Sequence, residues 1–390
     1  MKRQIYFDNS ATTKISEGAL RRYCEVSLAD FGNPSSLHKM GLDAEKLLDE
    51  ARSEILSSLG AQGSSVIFTA SGSEANNLAI FGRAFAKERY SRGAKIITTD
   101  SEHASVYAPL ERLAALGYNI VKIPTRGGEI DLEALCREMT REVILVTMML
   151  VNNETGALYD LASVSAIMRR QAPEAVMHVD ATQAYMKLPV LKSRLGADMI
   201  TVSAHKIEGP KGVGALIVDG GILKSRGLSP VVFGGGQELG LRSGTENVPA
   251  VAAFGEAVKI ARAELSERRA ALEELRSYLT KKLDTEELLS EISYINPSSH
   301  APHILNITLP KIKSETMLHY LSSFGIYVSS GSACSSNSSG VSSALLAYGK
   351  SEAEADSSLR ISFSHRNTLS EVDELISALS SGVARLSRIR

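Results

Sequence analysis

Charge of one sign, membrane-length apolar runs and paired cysteines are all missing from this sequence. Its 43 basic and 44 acidic side chains leave a net charge of −1, which gives no electrostatic footprint for a nucleic-acid backbone or an anionic membrane. Neither kind of partner is expected. No apolar run approaches the length of a bilayer span, and the N-terminal MKRQIYFDNSATT reaches Asp8 before a signal-like hydrophobic region develops. A cytoplasmic location is the default expectation. Only three cysteines occur, Cys24, Cys136 and Cys334; the odd count excludes a complete disulfide framework, and nothing in their spacing suggests zinc, so no metal site is expected. Cys24 and Cys136 fall on predicted helices and read as packing residues. Internal repeats are absent too, and the one biased stretch is a serine-rich run at 329–340.

What is present is a chain of 390 residues with 44% apolar content, enough for a full core and for more than one domain. A helix is predicted over Gly41–Gly60, where Leu47, Leu48, Ala51, Ile55 and Leu59 recur at three- and four-residue spacing. A short strand, Val66–Thr69, runs into Ala70-Ser71-Gly72-Ser73-Glu74 and a further helix. Strands are then predicted at 95–99, 119–123, 143–151, 175–179 and 199–203, with helices at 106–116, 132–139 and 161–171 between them. Such alternation predicts an α/β fold whose mostly parallel sheet lies between helices. One long charged helix over 249–283, with Glu267, Arg268, Arg269, Glu273 and Glu274 as a solvated face, is expected to lead into a smaller α+β domain. Strands at 304–308 and 359–363 and helices at 314–323 and 371–386 would build it.

Ligands of open α/β sheets bind beyond the carboxyl ends of the strands. Five polar clusters sit at such ends: Ser71–Ser73, Glu102-His103, Asn152-Asn153-Glu154, Asp180–Gln183 and Ser203–Lys206. The first, at a helix start, suits a phosphate; a plain N-cap role for Ser71 or Ser73 explains it equally well. Lys206 lies between His205 and a glycine- and proline-rich loop that contains Lys211. Alone it is a surface lysine. Beside Asp180 it fits another role, because an aldehyde cofactor held by a lysine needs an acid at its ring nitrogen to serve as an electron sink.

With these residues assembled, the sequence resembles the cysteine desulfurases of the NifS/IscS type, in the class V aminotransferase group of fold type I pyridoxal-phosphate enzymes. The likeness runs through IYFDNSATT at the start, GNPSS at 32–36, VNNETG at 151–156, HVDATQ at 178–183, SAHKIEGPKGVGAL at 203–216, GGGQELGLRSGTENVP at 234–249, SSGSAC at 329–334 and LRIS at 359–362. It implies a large cofactor-binding domain at 14–255 and a small domain from 1–13 and 256–390 that carries the catalytic cysteine. Lys206 would hold pyridoxal 5'-phosphate and act as base at the substrate Cα. Asp180 would pair with the pyridine nitrogen, Gln183 with the phenolic oxygen, and His103 would stack on the ring. Gly72, Ser73, Ser203 and His205 would bind the phosphate, with Thr245 reaching in from the second subunit of a homodimer. Asn153 and Arg360 would hold the carboxylate of L-cysteine, a task suited to the planar arginine fork. Cys334 would take the sulfur as a persulfide, leaving L-alanine, and pass it to a sulfur-acceptor protein for iron–sulfur cluster assembly, tRNA thiolation or thiocofactor synthesis.

The sequence also departs from that pattern. Glu208 stands where an aromatic residue is common, placing a carboxylate two positions from Lys206. Ser364 and His365 stand near where relatives carry glycine and arginine, and the chain stops at Arg390, soon after the last predicted helix; altered docking of a scaffold partner is expected from that. His38 and His365 read as structural or surface histidines. Two other functions compete: a related pyridoxal-phosphate lyase or aminotransferase such as a selenocysteine lyase, and a non-catalytic docking partner that keeps the fold. Cys334 argues against the first, and Lys206 together with Cys334 against the second.

Overall fold

The helix predicted from Leu48, Ala51 and Ile55 forms over Lys39–Ser58 and buries those side chains together with Ala44, each large one contributing on the order of 1.5–3 kcal/mol. The computed structural model describes residues 4–86, 93–309, 311–330 and 341–386. In chain order the first part contains β1 (Ile5–Tyr6), α1 (Glu17–Ala29), α2 (Lys39–Ser58), β2 (Ser64–Thr69), α3 (Gly72–Ala84), β3 (Lys95–Thr99), α4 (Ala104–Ala115), β4 (Asn119–Ile123), α5 (Leu132–Glu138), β5 (Val143–Met149) and α6 (Leu161–Gln171). Then follow β6 (Val176–Asp180), α7 (Lys192–Leu195), β7 (Met199–Ser203), β8 (Gly214–Asp219), α8 (Gly220–Lys224) and α9 (Val248–Ala263).

Seven strands form one sheet in the order β2-β8-β7-β6-β5-β3-β4. The run β7-β6-β5-β3-β4 is parallel, as the alternation predicts. β8, which the pattern did not reveal, is antiparallel to both β7 and β2. β2 therefore points the same way as β7, and its end at Thr69 opens on the same side of the sheet as Ser203. One face packs under α1, α2, α6 and α9 and the other under α3 and α4.

The predicted long helix is two, α9 and α10 (Leu265–Thr285), parted at Glu264. Its charged side is not uniformly solvated: Glu267, Arg269 and Glu274 are exposed, whereas Arg268 is buried, held by Glu264 at 2.8 Å. Beyond α10 come β9 (Ser293–Tyr294), β10 (Ile304–Thr308), α11 (Ser314–Ser323), β11 (Ile326–Tyr327), β12 (Ser329–Ser330), α12 (Ser343–Tyr348), α13 (Glu352–Asp356), β13 (Ser358–Ser362) and α14 (Leu369–Leu386). A second sheet, β12-β13-β10-β9, is antiparallel and shares a separate core with α10, α11 and α14. The N-terminal strand joins this second core: β1 pairs with β11, and Phe7 meets Phe363 edge-on with ring centroids 5.6 Å apart. From there the chain crosses to the large sheet, where the Thr13 N–H donates to the His205 carbonyl at 2.9 Å. Cys24 is exposed on α1 rather than packed, and Cys136 is half-buried. His38 caps α2, its Nδ1 accepting from the Gly41 N–H.

Candidate active site

The five strand-end clusters meet at one cavity of about 330 Å³. Ser71, Gly72 and Ser73 line it at the start of α3 and His103 at the start of α4; Asn153, Asp180, Gln183, Ser203, His205 and Lys206 come from the other loops, and Arg360 from β13. Thr245 does not line it; that residue is exposed, on a segment tied to α3 by Arg242 Nε to Glu74 Oε1 at 2.8 Å. Cys334 lies outside the described residues. Among the described residues no group of three or more His, Cys, Asp or Glu is placed to hold a metal ion.

Asp180 ends β6, and its carboxylate is fixed from two sides. Asn76 Nδ2 donates to Oδ2 at 2.8 Å and the Thr182 N–H donates to Oδ1 at 2.9 Å. The same Asn76 amide donates to Ser105 Oγ at 2.9 Å, and Ser105 lies 2.8 Å from His103 Nδ1. Asn76 and Ser105 also line the cavity and were not among the expected site residues; the available signal was Asn76's place one turn after Gly72, on the same face of α3. His103 is the N-cap of α4, with the Ser105 N–H donating to Nδ1. Its neutral ring therefore carries the proton on Nε2. Burial, followed by the cations Lys206 and Arg360, holds its pKa below the usual value against the opposing pull of Asp180.

Lys206 ends the short turn Ala204–Lys206 that follows β7. Its Nζ donates to the carbonyls of Ser10 and Ala11, the latter at 3.0 Å. The Ser10 carbonyl also accepts from Gln183 Nε2 at 2.9 Å, and Lys187 Nζ in turn donates to Gln183 Oε1 at 3.4 Å. His205 is depressed to about 4 by burial first and then by Lys206, Lys187 and Lys211, so it is a neutral ring at pH 7; its Nδ1 lies 3.1 Å from Thr12 Oγ1. Arg360 Nη1 donates to the Asn153 carbonyl and Nη2 pairs with Asp8, each at 2.9 Å. That leaves its buried Nε without a protein partner among the described residues.

A phosphorylated aromatic aldehyde fits this donor set. Ser203 Oγ is buried without a hydrogen-bond partner among the described residues and flanks Gly72. A Cβ added at Gly72 would lie 3.3 Å from both Ser203 Cβ and Thr182 Oγ1, so glycine keeps that end of the cavity open. The α3 N-terminus beside it offers backbone N–H groups to an anion. At the other end a lysine amine and a carboxylate face the same space.

The chain matches the family described as "Aminotransferase class-V" over residues 5–375. It is 36% identical to "Cysteine desulfurase IscS 1" of Archaeoglobus fulgidus, over 98% of this chain and 97% of that one. A solved "NIFS-LIKE PROTEIN" superposes with a TM-score of 0.90 at 33% identity, covering 98% of this chain and 100% of that chain. "SspA in complex with cysteine" superposes at 0.77 with 30% identity, over 94% of this chain and 100% of that chain. The chain belongs to the class V aminotransferase family, and within it to the cysteine desulfurases of the NifS/IscS type, with the fold type I architecture of that group.

Proposed function

We propose that the protein is a pyridoxal 5'-phosphate-dependent cysteine desulfurase that converts L-cysteine to L-alanine and collects the sulfur on Cys334. The observation that carries this reading is the convergence of Lys206, Asp180 and the α3 N-terminus on one cavity. Gly72, Ser73, Ser203 and His205 would hold the phosphate, Asp180 the pyridine nitrogen, Gln183 the phenolic oxygen, and His103 the ring face. When bound, the cofactor supplies a sink for the electron pair left at the substrate Cα. Lys206 Nζ would hold the cofactor and would be the base that accepts the Cα proton. Asn153 and Arg360 grip the substrate carboxylate, and the pairing of Arg360 with Asp8 and the Asn153 carbonyl fixes the plane of the fork in advance. Cys334, as thiolate, would form an S–S bond to the substrate sulfur while the substrate Cβ–S bond breaks; the bonding pair passes to Cβ, which takes up a proton on the way to alanine, and the sulfur stays on Cys334 as a persulfide.

Two separate cores support a large and a small domain, with Ile5 and Phe7 in the second core; because Ala257, Val258 and Ala261 of α9 belong to the first core, the boundary expected between 255 and 256 is better drawn near Glu264, where α9 ends. Thr245, exposed within its own chain, would reach the phosphate of the second subunit in a homodimer. Among the described residues no helix is long and apolar enough to cross a membrane; work in the cytoplasm and delivery of sulfur to an acceptor protein are proposed on the family likeness. The test is to incubate the purified protein with pyridoxal phosphate and L-cysteine and to follow alanine. Wild type should form it and Cys334→Ala should not; equal alanine from both would remove the persulfide step.

A further inference from the structure

Two positions after Lys206, Glu208 is buried at 6% exposure with a left-handed backbone, φ 64°. For a residue with a side chain that conformation is strained, and burying a carboxylate is costly unless it is paired. Both costs are met by contacts. The Glu208 N–H donates to Thr13 Oγ1 at 2.8 Å and its carbonyl accepts from the Ser16 N–H at 2.9 Å. The carboxylate is clasped from the second core: Arg366 Nη2 lies at 3.0 Å, Arg268 Nη2 at 3.5 Å and His365 Nδ1 at 3.7 Å. Arg268 stands on α10, and His365 and Arg366 stand in the turn after β13, the strand that carries Arg360.

A glycine would make the same left-handed turn without burying a charge. What the carboxylate adds is a connection. Residues 204–209 form one closed turn, in which the Ile207 and Gly209 N–H groups donate to the Ala204 carbonyl at 3.0 and 2.9 Å. A pull on Glu208 is therefore a pull on the backbone that aims Lys206. Behind that backbone Lys206 and Glu208 border a second, small cavity with Lys187, Arg268 and His365, apart from the substrate side.

We propose that Glu208 is a positioning residue for Lys206, clamping the lysine-bearing turn to α10 and to the turn after β13. The inference rests on the reading of Lys206 given above. It is tested with the full chain freed of cofactor, comparing wild type with Glu208→Gln, Arg366→Gln, the double variant and Lys206→Ala. The first readout is the rate at which added pyridoxal phosphate is captured, followed by its visible absorbance and by borohydride trapping with peptide mapping. The second is kcat against KM for L-cysteine. Glu208→Gln is expected to slow capture and lower kcat about tenfold with KM within about twofold, and the double variant should be no worse than Glu208→Gln, since one interaction is lost in both. If Glu208→Gln does not fold, Arg366→Gln, altered at a half-exposed side chain, should still slow capture about threefold. Lower thermal stability with unchanged capture and kcat would reduce the clamp to a structural one and overturn the proposal. Failure of wild type to capture the aldehyde, or capture by Lys206→Ala, would instead overturn the functional reading.

Discussion

Replacing Lys187 by methionine should stabilise the protein in neutral and acid solution and lose that benefit in alkali. Lys187 is buried behind Gln183, and burial, followed by Lys206 and Arg360, pushes its ammonium down to about 7 while Glu208 opposes them. In the unfolded chain a lysine titrates near 10.4. Between these values the unfolded state binds more protons than the folded one, so wild-type stability climbs as pH rises from about 7 towards 10. Below that window the folded protein holds the buried charge at its full cost, on the order of 3–5 kcal/mol for a drop from 10.5 to about 7. Methionine keeps the length of the side chain and removes the charge; the 3.4 Å bond to Gln183 is lost with it, at roughly 0.5–1 kcal/mol. The expected net gain is about 2–4 kcal/mol at pH 6, falling to zero or below near pH 10. Urea midpoints of wild type and Lys187→Met at these two pH values measure it. A variant destabilised equally at both would refute the account of a buried, reluctantly charged lysine.

Asn76→Ala should leave the fold intact but release Asp180 Oδ2 and Ser105, weakening pyridoxal-phosphate binding about tenfold, as expected for a lost bond to a charged group; an unchanged affinity by absorbance titration would contradict that role. Glu102 is raised to about 8 by burial, against the bonds it accepts from Thr99 and the Met149 N–H. A raised acid makes the folded state the better proton binder, so its contribution is lost as pH climbs from about 4.3 through 8. Glu102→Gln should flatten the wild-type fall in melting temperature over that window, and parallel curves for the two proteins would count against it.

Sequence periodicity carried the parallel strands, because each is a short apolar run closed by a polar strand end, but not their order across the sheet. β8 escaped it, since Gly214–Asp219 follows directly on the glycine- and proline-rich loop with no break of its own. The α9–α10 boundary was equally hidden: Ala263-Glu264-Leu265 contains no glycine or proline to mark a stop. Arg268 looked like one more charge on a solvated helix, because its partner Glu208 is distant in sequence and the burial of both depends on the second core. The candidate site residues were legible through the family resemblance, and the cavity brings together all of them but Thr245 and Cys334, the latter outside the described residues. Asn76 and Ser105 were not, since hydrogen bonds between neighbouring helix starts leave no periodic trace.

Sulfur is expected to leave L-cysteine by way of Cys334. The most direct test is to give the pyridoxal-phosphate-loaded protein L-cysteine labelled at sulfur, stop the reaction without reductant, and locate the label by peptide mass spectrometry. Label should appear on the peptide containing Cys334, with alanine formed alongside it, and none on Cys24 or Cys136. Alanine formed with Cys334 unlabelled would contradict that route.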